Sequence, residues 1–136
     1  MNAIPQMPAS LLVALGGAAG ALLRYQTGRG LTRVIGPQTV AAFPYATLAV
    51  NVIGSLAMGV LAGWLARTGS GGSEAMRLAL GVGLLGGFTT FSSFSLELML
   101  LIERGQPFLA MTYAGLSVLA GLAALYVGLI ATRVAA

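Results

Sequence analysis

Apolar residues dominate this chain in four long runs, and the polar positions that interrupt them are concentrated rather than scattered. The runs extend over about 8–25, 41–66, 76–102 and 108–132. Each is long enough, at 1.5 Å of rise per residue, to cross the roughly 30 Å hydrocarbon layer of a bilayer as a helix. Between them lie Gln26 to Val40 with Gly36-Pro37, then Arg67 to Ser73 with its Gly/Ser punctuation, then the short Glu103–Pro107 turn. Such breakers end helices and begin new ones. The pattern predicts an all-α membrane protein with four transmembrane helices in one domain, 1–136. The N-terminal MNAIPQMP has no positive flank, and the first run lacks a convincing cleavage site, so we expect a retained helix rather than a signal peptide.

The third run contains what a plain membrane helix avoids. From Gly86 to Phe94 the sequence reads GGFTTFSSF: two glycines, two threonines, two serines, and phenylalanines at 88, 91 and 94. In hydrocarbon an interrupted backbone is tolerated only where protein or a water-filled cavity satisfies it. We therefore expect the third helix to be broken mid-membrane here, at the candidate site.

Composition sharpens the picture by exclusion. The chain is 57% hydrophobic and 7% charged, with a mean hydropathy of +0.92. Soluble domains carry about 25% charged residues. There is no histidine and no cysteine, and all seven basic residues are arginine. Thiol, Schiff-base and histidine chemistry are thereby removed, and an enzyme is not expected. The arginines stand singly, with no basic run to follow a phosphate backbone, so nucleic acid is not an expected partner. Gly81 to Gly86 spells GxGxxG, but it lies within an apolar run without a βαβ context, so it is no nucleotide fingerprint.

Small residues at i, i+4 spacing predict close helix contacts at Gly16/Gly20, Gly59/Gly63, Gly83/Gly87 and Ser117/Gly121. The polar residues at membrane depth are neutral donors: Asn51 and Ser55, Thr89 to Ser95, Tyr113 and Ser117. Glu97 is the single acid near them, and an arginine partner is the expectation for it. A cation path or proton relay calls for buried carboxylates. Amide, hydroxyl and phenol donors, with the positive rims of aromatic rings, suit a small anion that must lose water without being trapped.

Three segments, GGAAGALLRY at 16–25, TLAVNVIGSLAMG at 47–59 and GGFTTFSSFSLE at 86–97, closely resemble the signature segments of the CrcB/Fluc fluoride channels, in family order. The resemblance implies an antiparallel, dual-topology homodimer in a bacterial inner membrane. It implies two fluoride pathways that passively export fluoride and so confer resistance to it. Phe91 and Phe94 then correspond to the aromatic pair facing fluoride, Asn51 to the amide beside them, and Tyr113 and Ser117 to a polar track, with Thr90 and Ser92 as further hydroxyls. Backbone carbonyls of Gly86 and Thr89 correspond to a central structural sodium site, and Arg24 to a vestibule arginine. Glu97 matches a family position without a mechanism. A proton-coupled multidrug exporter would need a glutamate in the first helix, which has none, and a purely structural subunit would leave the break without a purpose.

Charge placement bears independently on orientation. Four crossings put Arg67, Arg77 and Arg133 on one side and Arg29, Arg33 and Arg104 on the other, with Arg24 near that boundary. Because positive loops orient small membrane proteins, so even a balance predicts insertion both ways up. Reporters fused to the C-terminus, one active only inside the cell and one only outside, should both give signal; signal from one alone defeats dual orientation.

Overall fold

The computed structural model describes residues 8–68 and 73–134. The N-terminal segment read for a signal peptide and the glycine-rich stretch 69–72 lie outside the described residues. All regular structure among those described is helical: α1 (Ala9–Ile35), α2 (Pro37–Ala42), α3 (Tyr45–Thr68), α4 (Ser73–Met76), a π-helical stretch (Arg77–Leu85), α5 (Gly86–Phe88), α6 (Phe91–Glu103) and α7 (Pro107–Val134).

Among the described residues, three stretches are long and apolar enough to cross a membrane: Tyr45–Thr68, Glu74–Glu103 and Pro107–Val134. The protein is a multi-pass membrane protein. Its surface agrees, for among the described residues the buried hydrophobic core is six residues and large apolar side chains cover the exterior. An apolar surface of that extent needs lipid or another chain against it.

α1 departs from the expected limits. It was expected to end near residue 25 and instead continues to Ile35, 27 residues in all. The apolar run stops at Arg24, but Arg, Gln and Leu are good helix formers and nothing breaks the helix before Gly36. Gly36 ends it with φ +87°, a conformation that favours glycine, and Pro37 then occupies the first turn of α2. The α6–α7 turn is built alike: Gly105 has φ +72°, Gln106 N–H reaches back to the Leu101 carbonyl at 2.9 Å, and Pro107 opens α7.

Two tightly packed pairs make up the body, α3 against α7 and α1 against the π-helical stretch and α5. Glycines bring the backbones together in both. A side chain at Gly16 would strike the Ala79 carbonyl, and one at Gly20 the Leu84 carbonyl. In the other pair, Gly59 faces the Leu125 carbonyl, Gly63 the Thr132 hydroxyl, and Gly128 the Leu56 carbonyl. Gly121 is different: its nearest neighbour is Ser55 Oγ at 3.5 Å, an ordinary contact. The close-contact residue of α7 is Gly128, and Ser117 faces a cavity instead. The π-helical stretch is confined to the segment packed on α1, with Gly86 N–H bonding five residues back to the Gly81 carbonyl. α6 and α7 close the fold through Leu101, Ala110 and Tyr113, flanked by Phe43, Leu48, Phe94, Leu98 and Leu109.

Since Gly59 and Gly128 meet carbonyls rather than flexible side-chain ends, Gly59→Val and Gly128→Val should each destabilise the protein by about 1–3 kcal/mol, the usual cost of overpacking. Gly30→Ala, with nothing within 4 Å of the added methyl, should be neutral or slightly stabilising in the same thermal unfolding assay in detergent.

Candidate functional site

The helix that begins at Ser73 stops at Phe88 and restarts at Phe91, with Thr89 (ψ 160°) and Thr90 (φ −153°, ψ 123°) extended between. Two side chains take over the backbone bonds that the break removes. Asn51 on α3 holds Thr90 at both ends: Thr90 N–H donates to Asn51 Oδ1 at 2.9 Å, and Asn51 Nδ2 donates to the Thr90 carbonyl at 3.1 Å. Only a primary amide offers an acceptor and a donor side by side in this way. The Thr90 hydroxyl accepts from Ser93 N–H at 3.3 Å, capping α6 as threonine does at helix N-termini. Close approach is secured by Gly54, where a Cβ would overlap the Thr89 methyl.

This rearrangement frees specific backbone groups. In an unbroken helix Thr90 N–H would serve the Gly86 carbonyl and Ser93 N–H the Thr89 carbonyl. Both donors are diverted, to Asn51 and to Thr90 Oγ1. The carbonyls of Gly86 and Thr89 are thus released from the ladder, as oxygen ligands for a hard cation require. The first N–H groups of α6, beginning with Phe91, lack intrahelical partners as at any helix start, and carry positive partial charge.

A cavity of about 340 Å³ opens beside the break, lined on its polar side by Asn51, Ser55, Thr89, Thr90 and Ser117 and on its aromatic side by Phe91 and Phe94. The two phenyl rings lie 5.7 Å apart at 39°. Ser117 Oγ is buried there and has no hydrogen-bond partner. A buried hydroxyl without a partner costs free energy unless a ligand or water supplies one. Six of the sequence-derived candidates, Asn51, Thr89, Thr90, Phe91, Phe94 and Ser117, therefore share one cavity.

Tyr113 and Ser92 stand apart from it. Tyr113 is wholly buried behind Phe94, with ring centroids 5.2 Å apart, and gives its only proton to Glu97 Oε2 at 2.7 Å. Thr47 Oγ1 donates to the other carboxylate oxygen, also at 2.7 Å. The expected arginine partner of Glu97 is thus corrected: the carboxylate is held by two hydroxyls, and among the described residues the ion pair present is Glu74–Arg77 at 2.8 Å. The reason is geometric, since Glu97 points inward between α3 and α7, where hydroxyls and no guanidinium come within bonding reach. Ser92 is exposed, 3.4 Å from the Thr90 hydroxyl. Arg24 borders a second cavity, of about 350 Å³, together with Thr47, Ser93, Glu97 and Thr90. The two cavities meet at Thr90.

Sequence reasoning missed Thr47 and Gly54. The signal for Gly54 was present: Asn51 and Gly54 are three residues apart on one face of α3, the face turned to the break. Thr47, one turn before Asn51, had no such cue, because its partner is 50 residues away.

The family model described as CrcB-like protein, Camphor Resistance (CrcB), matches residues 11–129. A curated relative from Erythrobacter litoralis, named fluoride-specific ion channel FluC, is 53% identical over 133 residues, 98% of each chain. Relatives of the same name from Novosphingobium aromaticivorans and Caulobacter vibrioides are 58% and 53% identical, each covering 90% of this chain and 94% of their own.

Asn51→Leu keeps the branching at Cγ and removes both bonds to Thr90. Hydrogen exchange at the Thr90 amide should accelerate by at least about tenfold, and stability should fall by about 2–4 kcal/mol for two orphaned buried groups. Unchanged Thr90 protection would mean the amide does not hold the break.

Proposed function

We propose that this chain, which belongs to the CrcB-like family, is a fluoride channel, carrying fluoride passively out of a bacterial cell across the inner membrane and so lowering its toxicity. The chain is not an enzyme. Its near-full-length relatives bear the name of a fluoride-specific channel, and the cavity beside the break has the chemistry that such an ion needs.

The observation that carries this reading is the buried Ser117 hydroxyl without a partner, facing the same space as the Phe91 and Phe94 rings. Fluoride is small and tightly hydrated, so a path for it must offer donors strong enough to replace water and weak enough to release the ion. Ser117 offers an O–H. Asn51 offers the amide N–H not used on Thr90. The phenyl rims offer positive edges, and the start of α6 adds the field of its free N–H groups. No full positive charge lines this cavity. On the other side of Thr90, Arg24 gives the second cavity a cationic border able to draw anions in.

The channel is proposed to be an antiparallel homodimer with two such paths, α1 serving as the fourth crossing. Two features support a second copy: Phe91 is 79% exposed beside an open cavity, and the released Gly86 and Thr89 carbonyls are too few in one chain to enclose an ion. Pairing two breaks would bring four neutral oxygens together, a donor set that fits sodium; the ion would hold the two breaks together and balance their carbonyl dipoles. α1 supports its own assignment by lying along the spanning π-helical stretch through glycine contacts.

Purified protein in liposomes should release trapped fluoride and retain chloride. Phe91→Ile, Phe94→Ile and Ser117→Ala should each slow fluoride efflux, by roughly threefold to tenfold, the rate equivalent of one lost contact worth about 0.5–1.5 kcal/mol. Folded protein that leaves fluoride trapped would overturn the function; wild-type efflux from all three variants would overturn the site.

A further inference from the structure

We infer that the far half of α1 is a binding site for an anionic phospholipid, whose phosphate is held by Arg29 and Arg33. The first 15 residues of α1, Ala9 to Leu23, are free of charge and extend about 22 Å. The whole helix extends about 40 Å, close to a bilayer's thickness with its headgroups. The helix runs on for 11 residues past Arg24, about 16 Å, so its far end with Arg29 and Arg33 reaches headgroup depth. Tyr25, 60% exposed, precedes Arg29 by about one turn.

Here the side chains form a shallow pocket. Tyr25, Arg29, Thr32 and Arg33 surround the notch left by Gly28, and Arg24 closes the end nearest the second cavity. The Arg29 guanidinium stands 5.7 Å over the Tyr25 ring, a contact made by the ring face that leaves its N–H donors unused. The described residues place no carboxylate within ion-pair distance of Arg29 or Arg33; the ion pair present, Glu74–Arg77, is elsewhere. Two unpaired guanidiniums at this depth, each able to take two phosphate oxygens, have the charge and geometry for a lipid phosphodiester. The aromatic ring and the apolar half of α1 below are suited to the first carbons of the acyl chains. A free anion would use the guanidiniums and nothing else of this surface. In an antiparallel dimer each leaflet would hold one such site.

Native mass spectrometry of the full chain, extracted from vesicles of equal phosphatidylglycerol and phosphatidylcholine, tests the proposal. Phosphatidylglycerol should be retained preferentially, and retention should fall with added salt. Arg29→Gln with Arg33→Gln should weaken it by roughly tenfold to thirtyfold, and Arg133→Gln, at the end of α7, should leave it intact. Equal retention of the two lipids, or undiminished retention in the double variant, would overturn the site. Displacement by millimolar inorganic phosphate would also overturn it, in favour of a simple anion site. So would slowed fluoride efflux for the double variant in pure phosphatidylcholine, since the arginines would then be part of the ion's route. Fluoride conduction itself is read separately, so failure of the channel reading would leave the lipid measurement standing.

Discussion

The structure depends on the pair of hydrogen bonds between the Asn51 amide and the backbone of Thr90. A membrane helix survives in hydrocarbon because every N–H finds a carbonyl within the same segment, and an interruption leaves groups that water cannot reach. Without Asn51 both polar groups of Thr90 would be orphaned in an apolar setting, each at a cost of about 1–3 kcal/mol. With it, the extended pair Thr89–Thr90 becomes a defined part of the fold, and the amide's orientation is fixed by chemistry, since its oxygen must meet the N–H and its nitrogen the carbonyl.

The break then presents two chemistries in one place. Diverting the N–H groups of Thr90 and Ser93 exposes the Gly86 and Thr89 carbonyls, which suit cations, and restarting the helix at Phe91 exposes N–H groups, which suit anions. A continuous helix could offer neither. The glycine contacts matter for the same reason. Gly54 lets α3 approach Thr89, and Gly16 and Gly20 let α1 approach the π-helical stretch, so the segment leading into the break is packed from two sides. The wider i→i+5 turns end where the ordinary turn of α5 begins, so a single turn separates them from the break.

Much of this was legible in the sequence because it rests on composition. GGFTTFSSF announced a break, and the polar residues Asn51, Thr90 and Ser117 announced that something faced it; all three line one cavity together with Phe91 and Phe94. What stayed hidden depends on partners distant in the chain. That Asn51 would serve the backbone of Thr90, 39 residues away, is not written near Asn51. The same holds for Glu97, whose two hydroxyl donors lie 50 and 16 residues off on different helices. The π-helical bonding of RLALGVGLL has no compositional mark, and the length of α1 was misjudged because hydropathy measures the membrane's reach rather than the helix's.

Glu97 makes the polar balance of the interior intelligible. A carboxylate near an anion path opposes the anion, and in a dry setting that repulsion is strong. Here both oxygens accept hydrogen bonds, from Tyr113 on one side and Thr47 on the other, and Glu97 lines the second cavity beside Arg24 and not the cavity lined by Ser117. The arrangement has a cost, because Tyr113 no longer has a proton for a passing ion, and Ser117 is left as the hydroxyl without a partner. One chain thus supplies the hydroxyls of Ser117 and Ser55, one amide hydrogen and two ring edges to this cavity. In the proposed dimer, further donors would approach at the exposed face of Phe91.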